Sequence, residues 1–406
     1  MAYGGWPSPV LKRGRAATCL TLITLGIYRF WARTRIRRYF WSALAPGGDA
    51  LEYTGTGLEK FLGFLIAVAF LAVYLGLVQL GLFFAGLSML SEAQTQAQAF
   101  AQIAGQYITL VAVLPLIFYA QYRGRRYILS RTRWRGLRFG VDKAAMGYVW
   151  RGMAYSFLSL VTLGLLLPLQ MFRLEKYKVD RTWFGTGQFE QGGRWWMLYP
   201  AAQHVIFGLL LIGLPVVPLV FSAETKLWGF ALMGSGALWL PAGIVYYIVH
   251  SFRILTRHKT LDGVIRFAST PRTGRVIGLY MLGSTAASLI AGTLAALVLG
   301  VAGGVLAAVS GGTGTLGLDA MIAGDMPLDQ ATGMLAVAGG VLYYLVFILL
   351  FSALALVFIR QPLLAHYAAE TEILNTGGLR NIRQRTGDEM VEAEGFADAL
   401  DVGAGI

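Results

Sequence analysis

Long uncharged stretches alternate with short, strongly basic segments along this chain of 406 residues. Six stretches contain no Asp, Glu, Lys or Arg and are long enough to cross a hydrocarbon core, which needs about 20 helical residues. They cover residues 61–91, 93–122, 195–223, 227–252, 276–318 and 330–359. The pattern therefore predicts six membrane-spanning helices.

Two further apolar segments, residues 16–28 and 152–172, have basic clusters at both of their ends. The first has only 13 residues, and the second contains Gly164 and Pro168. Cationic loops stay on the cytoplasmic side of a membrane, and a crossing would place one cluster of each pair outside. We therefore interpret both segments as re-entrant or interfacial hairpins, whose irregular backbone must be buried within protein. The alternative is a bundle of eight spans.

The distribution of basic residues supports six crossings. With six, 33 of the 34 Lys and Arg residues lie on one side, and only Lys226 lies on the other. The positive-inside rule then predicts that both termini are cytoplasmic. This argument depends on the hairpin interpretation, because the asymmetry shrinks if both short segments cross.

Composition places the chain among membrane proteins. It is 56% hydrophobic and 14% charged, whereas about 25% of residues are charged in soluble domains. The net charge of +13 alternates with apolar runs, which favours contact with anionic phospholipid headgroups over nucleic acid. Cys19 is the only cysteine, which excludes an intramolecular disulfide. The N-terminus shows no pattern of a cleavable signal peptide. We expect an all-α polytopic helix bundle with six full spans and two hairpins.

The two short apolar segments are related by sequence, which indicates an internal repeat. Each has an apolar lead, TLG, a cationic and aromatic helix end, and then GTG. A looser module places Thr five positions and Phe twelve positions after a bulky residue. Its copies are Tyr127, Thr132 and Phe139; Tyr177, Thr182 and Phe189; and Leu255, Thr260 and Phe267. We predict a first repeat over residues 1–143, a second over 144–272, a final span pair over 273–386 and an acidic tail over 387–406.

The segments TLGIYRFWARTRIRRYF and EYTGTGLEKFLG resemble the YjgN-like family of bacterial inner-membrane proteins of unknown function. The similarity continues through FGTGQF and LDGVIRF to the ending at residues 394–403, although the F-x-G segment usual before the first hairpin is missing. The resemblance implies a multi-pass protein of the bacterial inner membrane and names no substrate.

The basic cluster over residues 29–41 is the first candidate site. Arg33, Arg37 and Trp41 are spaced by four residues and share one helical face. Guanidinium groups bind phosphate, and aromatic rings favour the depth of lipid headgroups. Arg38, Arg126 and Lys176 extend the same candidate surface for an anion or a headgroup. The alternative is a topology signal with ordinary lipid contacts.

Gln203 and His204 lie inside an apolar span, where polar groups often line a pathway. The alternative is a hydrogen bond between two helices. The four histidines show no metal spacing, and no set of residues suggests catalysis. We therefore expect no metal, no cofactor and no enzymatic activity.

Two functions are compatible with these patterns. The first is transport or lipid handling through a basic and aromatic cytoplasmic vestibule. The alternative is a non-catalytic scaffold or envelope component that binds partners through its cytoplasmic loops. Expected partners are membrane phospholipids, a small-molecule or lipid substrate, and a second copy of the chain, but not nucleic acid.

Overall fold

The computed structural model describes residues 2–3, 24, 27–87, 95–216, 226–309 and 330–385. Most of these residues are helical. The helices are α1 (Arg29–Ala43), α2 (Gly57–Phe84), α3 (Gln96–Ser130), α4 (Ala145–Val161), α5 (Leu167–Val179), α6 (Tyr199–Gly213), α7 (Lys226–Arg257), α8 (Thr273–Val309), α9 (Gln330–Ala355) and α10 (Gln361–Ala369). Short turns of 3₁₀-helix cover Pro46–Gly48, Trp195–Leu198 and Thr376–Asn381, and a π-helix joins α9 to α10.

Six helical segments in the described part of the chain are long and apolar enough to cross a membrane. They are Gly57–Phe84, Gln96–Ser130, Trp195–Gly213, Leu227–Arg257, Thr273–Val301 and Val337–Ala369. The prediction of a polytopic helical membrane protein with six candidate spans is thereby confirmed. The helices begin at local signals: the Thr95 hydroxyl and the Gln98 side chain form a capping box at the start of α3.

The expectation of an all-α fold is wrong, because eight strands form one antiparallel sheet. They are β1 (Leu51–Tyr53), β2 (Thr132–Trp134), β3 (Leu137–Val141), β4 (Thr182–Phe184), β5 (Gly187–Gln191), β6 (Lys259–Leu261), β7 (Ile265–Ser269) and β8 (Thr371–Leu374). Each strand pairs with its neighbours in sequence, so the spatial order is β1 to β8. Ala2–Tyr3 also pairs with Leu44–Ala45 in a separate two-stranded ladder.

Tight turns connect three pairs of neighbouring strands. Arg135 and Gly136 both have positive φ between β2 and β3, the backbone geometry that matches the twist of a two-residue hairpin. Gly185 begins the β4–β5 turn with φ of 54°. The three Phe residues of the looser module take equivalent places as the third residues of β3, β5 and β7.

The second predicted hairpin is a pair of helices joined by residues 162–166. Leu163 and Gly164 have positive φ at this turn. The strand before α4 and the strand after α5 are neighbours, with Phe139 opposite Phe184. Both ends of the helical hairpin therefore meet at the sheet. The first predicted hairpin, residues 16–28, lies largely outside the described residues.

The chain divides into two compact units. The first comprises Met1–Gly5, Arg29–Thr273 and His366–Ile406, and it contains the sheet and four of the candidate spans. The second comprises Trp6–Tyr28 and Gly274–Ala365. The predicted repeat boundaries after residues 143 and 272 stay a prediction, and the acidic tail over 387–406 lies outside the described residues.

The first unit has two main apolar clusters. One is centred on Tyr122, Tyr148 and Tyr177, where α3, α4 and α5 meet. The other covers one face of the sheet, where Phe184 and Ile265 are buried. Residues 376–385, which we call the C-terminal strap, lie over the same face of the sheet, and Ile382 is buried in this second cluster.

Candidate functional site

Helix α1 packs along the first turns of α2. The ring centroids of Phe30 and Phe64 are 4.9 Å apart, and those of Trp31 and Phe61 are 5.8 Å apart. A Cβ atom on Gly57 would lie 2.9 Å from the Trp31 Cα atom, so glycine permits this close approach. The packing brings the second half of α1 next to β1 and to the first turn of α2.

Arg37 is the central residue of this junction. Its side chain is buried, with 8% exposed, and its guanidinium lies 5.8 Å from the Trp41 ring centroid and 5.5 Å from that of Tyr53. The Nε atom is enclosed and has no hydrogen-bond partner. Within the described residues, these two cation–π contacts are the only interactions that the structure gives to Arg37. A buried guanidinium thus lacks an acceptor.

Lys60 adds a second buried cation on the same tyrosine ring. It is 1% exposed, and its Nζ atom lies 5.7 Å from the Tyr53 centroid. The carboxylate of the neighbouring residue Glu59 binds other side chains. It accepts from Arg131 Nη2 over 3.1 Å and from the Tyr127 hydroxyl over 2.8 Å. Glu59 is therefore paired with Arg131 and Tyr127, whereas Arg37 and Lys60 both lie against the Tyr53 ring.

The other residues predicted on α1 surround this junction. The Trp41 indole Nε1 donates to Thr132 Oγ1 over 2.9 Å, which ties α1 to β2. Arg38 is exposed and donates to the Gly55 carbonyl over 2.8 Å. Arg33 is half-buried one turn before Arg37. We call Arg37, Trp41, Tyr53 and Lys60 the α1 site.

Arg126 and Lys176 do not lie at the α1 site. Arg126 Nε donates to the Val141 carbonyl over 3.1 Å, at the end of β3. Lys176 Nζ donates to the Gln191 carbonyl over 2.8 Å and pairs with Asp180 over 2.9 Å. Each cation is bound to a nearby hairpin of the sheet. Lys176 also lines an open cavity of 440 Å³ with Asp180 and His258.

Gln203 and His204 take different positions on α6. Gln203 is exposed, and His204 is half-buried. The His204 ring lies against α7, with centroid distances of 4.5 Å to Tyr246 and 5.8 Å to Trp239. His204 therefore contributes to the packing of α6 on α7, and the pathway role of both residues stays a prediction.

Sequence reasoning missed Tyr53 and Lys60 of the α1 site and the neighbouring Glu59. The GTG of the segment EYTGTGLEK, residues 55–57, lies at the N-terminus of α2 in the structure. The Thr56 hydroxyl accepts from the Glu59 amide at the N-terminus of α2. The useful signal was Glu59-Lys60 in the first helical turn, a short loop after the aromatic strand residue Tyr53.

A second charged cluster centres on Glu175 of α5. Its carboxylate lies 3.0 Å from Lys178 Nζ and 2.9 Å from Lys259 Nζ, so it joins α5 to β6. Burial alone would raise the pKa of Glu175, but Lys178, Lys259 and Arg125 outweigh it and hold the pKa well below its usual range. Glu175 is therefore a carboxylate fully paired within the chain.

Comparison with known proteins adds the family. A family described as "Bacterial protein of unknown function (DUF898)" matches residues 16–295. The inner membrane protein YjgN of Escherichia coli K12 and that of Escherichia coli O157:H7 are each 30% identical over 131 residues. That match covers 32% of this chain and only 28% of each relative. No solved structure matches.

These matches agree with the fold. The six candidate spans and the inner-membrane relatives support a multi-pass protein of the inner membrane. Among the described residues, no three His, Cys, Asp or Glu side chains are grouped to hold a metal ion. Since the family match covers more than half of the sequence, this chain belongs to the DUF898 family of bacterial proteins of unknown function.

Proposed function

We propose that this inner-membrane protein handles anionic lipids, or transports an amphiphilic anion, at a basic surface on the cytoplasmic side. The observation that carries the proposal is the α4–α5 hairpin. Its two ends meet at neighbouring strands of the sheet, and its tip is apolar. A hairpin that enters a bilayer from one side and returns interrupts lipid packing beside the spans.

The depth of the tip supports a re-entrant hairpin. The Tyr199 hydroxyl, in the first turn of α6, donates to the Leu165 carbonyl over 3.0 Å. A Cβ atom on Gly164 would lie 3.5 Å from Leu209, in the second half of the same candidate span. Leu163 is 88% exposed, which suits contact with acyl chains. The tip thus lies beside part of α6, as expected for a segment that dips into the membrane.

The two helices of the hairpin are apolar near the tip and charged near the sheet, as a segment that dips into the membrane requires. Helix α4 has 17 residues, a length of about 25 Å, and exposes Phe157 and Leu160 near the tip. Helix α5 begins with LPLQMF and ends with RLEKYKV at the sheet. The Ser156 and Gln170 side chains hydrogen-bond between the legs over 2.8 Å, so their polar groups are satisfied inside the hairpin.

The orientation follows from the charges of the sheet. Basic residues accompany its hairpins, and the positive-inside rule places such a surface in the cytoplasm. Ala2–Tyr3 pairs beside the start of β1, and the C-terminal strap lies on the sheet, so both ends of the described chain share this side. The equivalent Phe positions in β3, β5 and β7 support an internal repeat that builds the basic surface.

A lipid-movement assay tests the function. The full-length protein would be placed in vesicles that contain fluorescent phosphatidylglycerol or fluorescent phosphatidylcholine, and transfer between leaflets would be followed by chemical quenching. We expect faster transfer of the anionic lipid than in protein-free vesicles. Leu163→Asp should abolish the effect, because a charge at the tip opposes insertion. Glu190→Gln, on an exposed residue of β5, is the control.

Transfer at the rate of empty vesicles would reject lipid movement. Capture of one stoichiometric protein partner by the same preparation would then favour the scaffold function. Topology would be tested with single cysteines at Ala50, Glu190 and Leu163 on a Cys19→Ser background. The hairpin interpretation requires that an impermeant maleimide reach the first two positions only after cells are opened. Labelling of Ala50 in intact spheroplasts would reject it.

A further inference from the structure

We infer that the α1 site binds one phosphate group of an anionic glycerophospholipid, with the Arg37 guanidinium as its main ligand. The inference rests on the proposed lipid handling and names the chemical group and the residues that recognise it. The phosphate would enter between α1, β1 and the first turn of α2.

The first argument is the state of Arg37. A guanidinium has five N–H donors, and a buried charge is costly unless it is paired and hydrogen-bonded. Arg37 is 8% exposed and has no hydrogen bond or ion pair to the described residues. Its cation–π contacts with Trp41 and Tyr53 offset part of the cost. The donors themselves still require oxygen acceptors.

The second argument is that neighbouring carboxylates do not supply those acceptors. Glu59 is bound to Arg131 and Tyr127. Glu52 precedes Tyr53 in β1, and successive strand residues point to opposite faces, so it faces away from the ring that Arg37 contacts. An oxyanion from outside the chain would satisfy the Arg37 guanidinium.

The two TLG segments show the contrast directly. When their TLG motifs are aligned, Arg37 corresponds to Glu175. At Glu175 the chain supplies a carboxylate, and Lys178 and Lys259 pair with it. At Arg37 the chain supplies a cation without a carboxylate. The second cluster is therefore complete within the protein, whereas the first needs an added anion.

The surroundings favour a lipid over a free phosphate ion. The α1 site lies at the sheet-side ends of the spans α2 and α3, where headgroups are expected. Trp31 and Trp41 flank Arg37 on α1, as is typical of the membrane interface. From the same turn as Lys60, α2 exposes an apolar stripe formed by Leu58, Leu62 and Ile66. Such a stripe provides a surface for acyl chains.

Native mass spectrometry of the full-length protein tests the inference. Detergent-solubilised protein would be titrated with phosphatidylglycerol, with phosphatidylcholine and, in a separate arm, with inorganic phosphate. We expect one tightly retained phosphatidylglycerol molecule. Arg37→Gln should weaken its binding roughly tenfold or more, since charge-assisted hydrogen bonds are lost. Arg37→Lys should retain part of the binding. Arg266→Gln, an exposed cation on β7, removes the same charge and should leave binding unchanged.

Thermal stability provides a second readout that does not depend on retention in the gas phase. Phosphatidylglycerol should raise the melting temperature of the wild type and of Arg266→Gln, but not that of Arg37→Gln. Without lipid, Arg37→Gln should be at least as stable as the wild type, because it removes an unpaired buried charge. This comparison also shows that the variant is folded.

Equal lipid binding by Arg37→Gln and Arg266→Gln would overturn the inference, as would binding of inorganic phosphate without binding of the lipid. The result is separable from the test of function. A retained lipid that depends on Arg37, in a protein that moves no lipid between leaflets, would reject the proposed function and leave the site standing. Lipid movement in a protein whose lipid retention is unchanged by Arg37→Gln would reject the site alone.

Discussion

Lys259 Nζ lies 2.9 Å from Glu175 Oε1, so one ion pair joins strand β6 to helix α5. The Glu175 side chain is 17% exposed, and the side chains of Lys259 and Lys178 are 22% and 23% exposed. Partial burial makes this cluster stronger than a surface ion pair and costly to break on one side. It fixes the returning leg of the α4–α5 hairpin to the sheet.

Glu175→Gln should therefore destabilise the protein by about 1–3 kcal/mol, because two lysines lose their counterion. The measurement is the thermal midpoint of the detergent-solubilised protein, followed by tryptophan fluorescence. Glu190→Gln makes the same chemical change on an exposed residue of β5 and should have little effect. Equal midpoints for the two variants would show that the cluster contributes nothing.

The ion pairs of Glu175 should also make the stability of the protein depend on pH in the acid range. The pKa of Glu175 in the folded protein lies below its ordinary value of 4.5. The unfolded chain therefore takes up the proton first, and the contribution is present above pH 4.5 and lost as the pH falls through the folded pKa. Midpoints of the wild type and Glu175→Gln should differ at neutral pH and converge in acid. A constant difference down to the acid limit would contradict the assignment.

Gly57→Ala should loosen the contact between α1 and α2. An added Cβ atom would meet the Trp31 side chain at 2.8 Å and its Cα atom at 2.9 Å, so the backbone must shift. We expect a loss of about 1–3 kcal/mol, the range for overpacking. Gly76→Ala on the same helix meets no atom within 4 Å and should be neutral or stabilising by up to about 1 kcal/mol. Thermal midpoints of both variants decide the point.

Gly185→Ala should release the C-terminal strap. The added Cβ would collide with the Arg383 carbonyl oxygen, next to the hydrogen bond from the Thr186 amide to that oxygen. We expect the free energy that holds the strap on the sheet to fall by about 1–2 kcal/mol. The rate of trypsin cleavage at Arg383 and Arg385 would then rise roughly 5- to 30-fold. Gly263→Ala has a similar positive φ of 67° and open space around it, so it controls for backbone strain. Equal cleavage of both variants would show that the collision is unimportant.

The spans could be predicted from the sequence because each depends only on a continuous run of apolar residues. The strands could not be predicted in this way, since they have only three to five residues, and several carry an Arg among their apolar positions. One turn nevertheless carried a signal, because the DG that follows TL at residues 262–263 is typical of a tight hairpin. What local patterns lack is the long-range pairing, such as Glu52 with Arg133.

The residues of the candidate site could likewise be predicted only in part. Helical spacing placed Arg37 and Trp41 on one face of α1, and the structure brings them into contact. Arg126 and Lys176 look equivalent in sequence, yet each donates to a backbone carbonyl of the sheet. The difference depends on where β1 and the start of α2 pack against α1, which no local pattern specifies. Tyr53 and Lys60 were missed for that reason.

The order of the strands has a consequence for biosynthesis. Every strand pairs with the strand made just before it, so the sheet can grow from one end while the ribosome is still inserting later spans. The C-terminal strap is the exception, because Gln384 accepts from the amide of Arg138, 246 positions earlier. Only a chain synthesised beyond residue 384 can make that contact. A chain with the strap in place therefore differs from every nascent chain that has not yet reached this residue.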